Sequence, residues 1–140
     1  MTATGPIRAL VVDDSEFFAE MTASTLSEEH DIEATFETSA EAALEWLEDS
    51  NVDCIVSDYE MPGMDGLTFL ERVQERYDDL PFILLTGRGD EEIASRAIAS
   101  GVADYLLKLE VVEDEQYERL ANRIEGVVGQ QQTQKKYERL

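Results

Sequence analysis

Three short runs, Ile7 to Val12, Cys54 to Val56 and Phe82 to Leu85, are almost uninterruptedly apolar and rich in β-branched residues. Strands of that kind are buried on both faces, which points to a parallel sheet with helices packed on each side. β-rich runs and helix-period segments alternate five times along the 140 residues, so the pattern is α/β and the length suits one domain. Two further runs differ. Ile32 to Glu37 alternates apolar with polar, and Ala103 to Leu107 carries an aspartate, so both suit sheet edges. That assignment agrees with the strand order 2-1-3-4-5.

The helices follow from spacing and end signals. A first is expected from Ser15 to about Glu28. Ala40, Ala43, Leu44 and Leu47 mark a second behind Thr38-Ser39-Ala40-Glu41, which reads as a capping box. Leu67, Leu70 and Val73 mark a third; Ile93, Ala97 and Ile98 a fourth ending near Gly101; Tyr117, Leu120, Ile124 and Val127 a fifth. Phe17, Phe18 and Trp46 read as core or half-exposed packing residues on these helices. Beyond Val128 the apolar period fades, so the expected division is a domain over 7–128 and a polar helical extension or linker over 129–140.

Composition narrows the partners. Thirty-two acidic residues against eleven basic ones give a formal charge of -21, which repels nucleic acid and anionic membranes and argues against direct binding to either. Surplus acid with only three lysines (Lys108, Lys135, Lys136) is what a protein kept dissolved in high salt would carry, so a halophilic source is expected. The single cysteine, Cys54, lies in an apolar run and reads as a core residue. With no secretory pattern and no membrane-length apolar stretch, a cytoplasmic location is expected.

In an open parallel sheet, ligands bind beyond the carboxyl ends of the strands, where the strand order reverses. The first strand ends in Asp13-Asp14, the third in Asp58, the fourth in Thr86, and the fifth leads into Lys108. Five reactive side chains from four separate segments therefore converge on one edge. Three crowded carboxylates repel one another, each pair by roughly 4 kcal/mol at 4 Å with an effective dielectric of about 20. They call for a cation or for raised pKa values, and an all-oxygen donor set favours Mg²⁺ as the ion. With the ion in place a carboxylate can serve as nucleophile toward a phosphoryl group, with Lys108 and the Thr86 hydroxyl binding its oxygens. By contrast Asp65 reads as a turn or cap residue and His30 as a solvated loop residue.

Val11-Val12-Asp13-Asp14, Asp58-Tyr59-Glu60-Met61-Pro62-Gly63-Met64-Asp65-Gly66, Leu85-Thr86-Gly87 and Tyr105-Leu106-Leu107-Lys108 together resemble the response-regulator receiver family of two-component signalling. The resemblance implies a (βα)5 flavodoxin-like three-layer sandwich around a five-stranded parallel sheet. It also implies that Asp58 is phosphorylated by a sensor histidine kinase, and that Asp14, Asp58 and the Glu60 backbone carbonyl bind Mg²⁺ directly, with Asp13 helping through water. Thr86 and Tyr105 match the family's switch pair, which reshapes the surface of helix 4, strand 5 and helix 5, a surface through which a homodimer could form. On this reading the domain is a phosphoacceptor that catalyses only its own phosphotransfer and dephosphorylation, and a fused or separate output domain would act on the signal. An archaeal halophile is the expected source.

Two features stand out against the family's pattern. Leu109 follows Lys108 where members usually carry a proline, and Glu60 and Arg88 flank the mouth of the site, where an ion pair between them would hinder hydrolytic water. The competing readings are a phosphorylation-independent receiver-like interaction module, a phosphohydrolase of the haloacid-dehalogenase type, and a flavin-binding domain. The second would need Asp-x-Asp after the first strand, where the chain has Asp13-Asp14-Ser15. The third would need a phosphate-cradling loop there, where Asp13, Asp14 and Glu16 repel phosphate.

Overall fold

The computed structural model describes residues 5–87, 91–108 and 116–138, with side chains of the last segment described over 117–131. Strands and helices alternate: β1 (Ile7–Val12), α1 (Glu16–Glu29), β2 (Ile32–Glu37), α2 (Ala40–Leu47), β3 (Cys54–Ser57), α3 (Gly66–Arg76), β4 (Phe82–Thr86), α4 (Glu91–Ser100), β5 (Asp104–Leu107) and α5 (Gln116–Glu138). The five strands form one parallel sheet in the order β2-β1-β3-β4-β5. This is the flavodoxin-like (βα)5 sandwich that the alternation predicts, with the two less apolar strands at the edges.

Period-two alternation divides the core. Ala9 and Val11 of β1, Cys54 and Val56 of β3, and Ile83 and Leu85 of β4 face α1 and α5, meeting Ala23, Leu26, Leu120 and Ile124. Leu10, Val12, Ile55, Phe82 and Leu84 face the other way, against Ala43 and Leu47 of α2, Phe69 and Leu70 of α3, and Ile93 of α4. Phe69 and Phe82 meet edge to face there, with ring centroids 5.5 Å apart.

Three local expectations need correction. Ser39, not Thr38, caps α2: its Oγ accepts the Ala42 N–H at 3.1 Å, which places Glu41 one position too early to complete a capping box. Ile98 is 69% exposed, because α4 buries only the narrow stripe that includes Ile93 and Ala97. Phe17 is 75% exposed on the first turn of α1, while Phe18 beside it and Trp46 are half-buried packing residues as expected. Cys54 is buried, and His30 closes α1 through its backbone N–H to Leu26 O. No described helix is long and apolar enough to cross a membrane.

Candidate functional site

The sheet delivers its carboxylates by register. Val12 pairs with Ser57 across β1 and β3, so the next residues, Asp13 and Asp58, emerge side by side. The ladder continues into both: the Asp13 N–H donates to Glu37 O at 3.2 Å and the Asp58 N–H to Val12 O at 2.9 Å. Alternation puts Asp13, Asp58 and Lys108 in phase with Val11, Val56 and Leu106, on the α1/α5 side of the sheet. The Lys108 N–H in turn donates to Thr86 O at 2.9 Å, which ties the end of β5 to the end of β4.

Carboxylate oxygens of Asp13, Asp14 and Asp58 all lie within 4.8 Å of one another. Asp13 and Asp58 are buried, at 2% and 6% exposure, whereas Asp14 faces solvent. Lys108 Nζ sits between the buried pair, 2.6 Å from Asp13 Oδ2 and 3.2 Å from Asp58 Oδ2. The remaining oxygens receive backbone donors: Ser15 N–H to Asp13 Oδ1 at 2.9 Å, and Tyr59 N–H to Asp58 Oδ1 at 2.8 Å. Burial, reinforced by the Asp13 charge, pushes the Asp58 carboxyl up to about 6, even though Lys108 and the Tyr59 N–H pull the other way. Burial works against the Lys108 ammonium, yet its hydrogen bond to Asp13 and the charges of Asp13 and Asp58 hold its pKa above the ordinary lysine value.

One ammonium against three carboxylates leaves excess negative charge in a largely buried space, and burial first, with the Asp13 charge behind it, raises the Asp58 pKa there. The donors are all oxygen and two of the three are held by backbone N–H groups, a set that fits a hard divalent cation with room for its own waters. A cavity of about 330 Å³, lined by Asp14, Tyr59, Glu60, Met61, Pro62 and Asp65, opens beside Asp14.

The other sequence-predicted residues take these places. Thr86 is fully buried at the end of β4, and Tyr105, paired in register with Leu84, is half-buried on β5 against the α2/α3/α4 side of the core. Glu60 is exposed on the cavity wall. Arg88 and Leu109 lie outside the described residues, so the Glu60–Arg88 pair and the loop after Lys108 do too. Asp65 is the N-cap of α3, its Oδ1 accepting the Thr68 N–H at 2.8 Å, which is the role its position predicts.

Sequence reasoning missed several supporting residues. Ser15 caps α1 while its N–H fixes Asp13, and the buried Ser57 Oγ donates to Asp58 O at 2.9 Å. Gly66 packs so closely that a Cβ there would stand 2.3 Å from Asp58 O and 2.9 Å from Tyr59 Cα. Its N–H donates to Tyr59 O at 2.7 Å, closing the loop that follows Asp58. The Phe18 ring lies 4.5 Å from Lys108 Nζ. Nothing in the spacing of a lone glycine or an aromatic on an amphipathic helix separates these tasks from ordinary packing.

Residues 9–121 match the family described as the response regulator receiver domain. The chain belongs to this family. It is 47% identical over 68 residues to the cyclic di-GMP phosphodiesterase response regulator RpfG of Xanthomonas campestris, covering 47% of this chain and 18% of that protein. It is 41% identical over 102 residues to the heme response regulator HssR of Staphylococcus aureus, covering 73% of this chain and 45% of the relative. Less than half the length of these curated relatives is therefore spanned. Among solved structures, the signal receiver domain of an HD domain-containing protein from Pseudomonas fluorescens superposes with a TM-score of 0.81 at 31% identity, covering 97% of this chain and 96% of that one. The chain is thus a receiver domain of the response-regulator kind found in two-component signalling. None of these relatives supports the halophilic archaeal source expected from composition.

Proposed function

We propose that this receiver domain accepts a phosphoryl group from a sensor histidine kinase on Asp58 in a Mg²⁺-dependent reaction. The observation that carries the proposal is the buried Asp58 carboxyl, pushed up to about 6, with Asp13 and Asp14 oxygens within 4.8 Å and Lys108 Nζ at 3.2 Å. Asp13, Asp14, Asp58 and the Glu60 backbone carbonyl would hold the ion. When bound, Mg²⁺ supplies the charge that lets an anionic phosphoryl group approach an anionic acceptor.

The chain's own residues do the rest. The Tyr59 N–H holds Asp58 Oδ1, which leaves Oδ2, paired with Lys108, to serve as the nucleophile. Lys108, already paired with Asp58, moves its charge to a phosphoryl oxygen as the Asp58 oxygen–phosphorus bond forms and the donor's bond to phosphorus breaks, giving an acyl phosphate and the free donor. The Thr86 hydroxyl binds a second phosphoryl oxygen, and with Tyr105 it couples occupancy of Asp58 to the α4/β5/α5 surface. The domain turns over no external substrate besides the phosphodonor; it catalyses its own modification and its reversal. Its place is the cytoplasm, where a kinase would meet it, and its output lies in a fused or separate partner, as the long relatives imply. Domain limits of 7–128 with a polar connector from 129 onward suit that arrangement, and α5 runs through the boundary to Glu138. The excess of acid is an adaptation to salt, a reading that rests on charge alone.

Intact mass after incubation with acetyl phosphate tests the central step. The wild type should gain one phosphoryl group only when Mg²⁺ is present, and Asp58→Asn should gain none. A gain that persists in the variant would move the acceptor elsewhere. No gain in a folded wild type that binds Mg²⁺ would favour the phosphorylation-independent interaction module.

A further inference from the structure

Lys108 has a third neighbour besides its two carboxylates. Its Nζ stands over the Phe18 ring at 4.5 Å from the centroid, within the range in which an ammonium is held by the negative face of an aromatic ring. Phe18 is fixed in turn: its N–H donates to Ser15 Oγ at 3.3 Å, and its ring packs half-buried against the α1/α5 side of the core. The contacts close a circuit. Asp13 Oδ1 accepts the Ser15 N–H, Ser15 caps the turn that carries Phe18, the Phe18 ring seats Lys108, and Lys108 returns to Asp13 Oδ2 at 2.6 Å.

A flexible four-carbon stem with a point charge at its tip is held only by what the tip touches. Both carboxylates that hold Lys108 are needed for other tasks once a cation and a phosphoryl group arrive, whereas the ring is not. We propose that Phe18 is a positioning residue for phosphotransfer: its ring face keeps the Lys108 ammonium at the mouth of the site when Asp13 and Asp58 release it, so that it meets the incoming phosphoryl oxygen. This rests on Asp58 being the acceptor, and it assigns to the first turn of α1 a task distinct from packing.

The test is the phosphorylation rate with acetyl phosphate as donor at saturating Mg²⁺. Phe18→Leu, which keeps an apolar side chain and removes the ring face, should lower the plateau rate roughly 3- to 10-fold. The Mg²⁺ concentration for half-maximal rate should shift by less than about twofold, because Phe18 acts on Lys108 and offers the ion no ligand atom. Phe18→Trp should restore the rate. Singly, doubly and triply fluorinated phenylalanines at position 18, which keep the ring's shape and weaken its negative face, should lower the rate in that order. They decide the matter even if Phe18→Leu folds poorly. In a Lys108→Ala background, Phe18→Leu should cost nothing further. A flat fluorine series, or an undiminished penalty without Lys108, on a wild type that does take the phosphoryl group, overturns the role of Phe18 alone. A wild type that takes none overturns the acceptor reading and this role with it.

Discussion

At its carboxyl edge the sheet runs into Asp13, Asp14 and Asp58; at its amino edge it is preceded by Asp53, Asp78 and Asp79. Each edge borders a cavity, about 330 Å³ beside Asp14 and about 340 Å³ among Leu47, Asp53, Tyr77, Asp78, Leu80 and Val128. Count of acids and size of hollow therefore do not separate them. Burial does. Asp78 and Asp79 are exposed, and the half-buried Asp53 accepts from a neutral donor, the Arg8 N–H at 2.9 Å. At the carboxyl edge two aspartates are taken out of water together and share one lysine. Charge acquires chemistry where the fold withdraws its hydration without fully compensating it.

The largest expected effect tests that contrast directly. Asp58→Asn should abolish phosphoryl incorporation from acetyl phosphate, and Asp53→Asn at the other edge should leave it unchanged, both read by intact mass. Equal loss in the two variants would mean that general acidity, not the buried cluster, governs the reaction.

The next effect is on folding. Gly66→Ala drives a methyl group into the Asp58 carbonyl at 2.3 Å, so denaturant unfolding should show a loss of about 3 kcal/mol. Gly126→Ala, in α5 with open space around the new Cβ, should gain roughly 0.5 to 1 kcal/mol. Were Gly66→Ala neutral, the loop after Asp58 would be yielding, and the carboxyl edge would not be the preorganised one.

These contrasts also explain what the sequence could tell. The edge strands were legible because burial on one or both faces leaves a direct trace in β2 and β5 against β1, β3 and β4, whereas the order of the three central strands leaves none. The convergence of Asp13, Asp14, Asp58 and Lys108 was legible because a polar residue straight after a buried strand has one place to go. The circuit through Ser15 and Phe18, and the close approach of Gly66, depend on where α1 and the loop after β3 sit in space. Linear spacing carries no record of that. Ile98 and Phe17 failed as packing residues for a related reason: helical period identifies a stripe, but the neighbouring layer decides how wide a stripe is covered.

A smaller effect follows from the Asp58 pKa. Raised to about 6 from an ordinary carboxylate value near 4, it makes the folded state bind more protons than the unfolded one between those pH values. The stability contributed is therefore fully present below about pH 4 and lost as pH rises through about 6. At pH 7 without Mg²⁺, Asp58→Asn should be more stable than the wild type by roughly 1 to 2 kcal/mol, a gap that closes toward pH 4. Adding Mg²⁺ should stabilise the wild type and narrow the gap. A pH-independent difference would show that Asp58 is well compensated by Lys108 alone.

The amino edge supplies the smallest effect. Asp78 and Asp79 are solvated, so neutralising both with asparagine relieves only screened repulsion and should change stability by less than about 0.5 kcal/mol at low salt. In molar KCl, where the screening length falls to about 3 Å, that change should vanish. The wild type itself, with a formal charge of -21, should melt higher in molar KCl than at low salt, because the compact state concentrates like charges that salt screens. An unchanged melting temperature would remove salt adaptation as the meaning of the acidic surface. A gain of several kcal/mol from the two asparagines would instead make the amino edge a second strained cluster, and the distinction between the two ends of the sheet would fail.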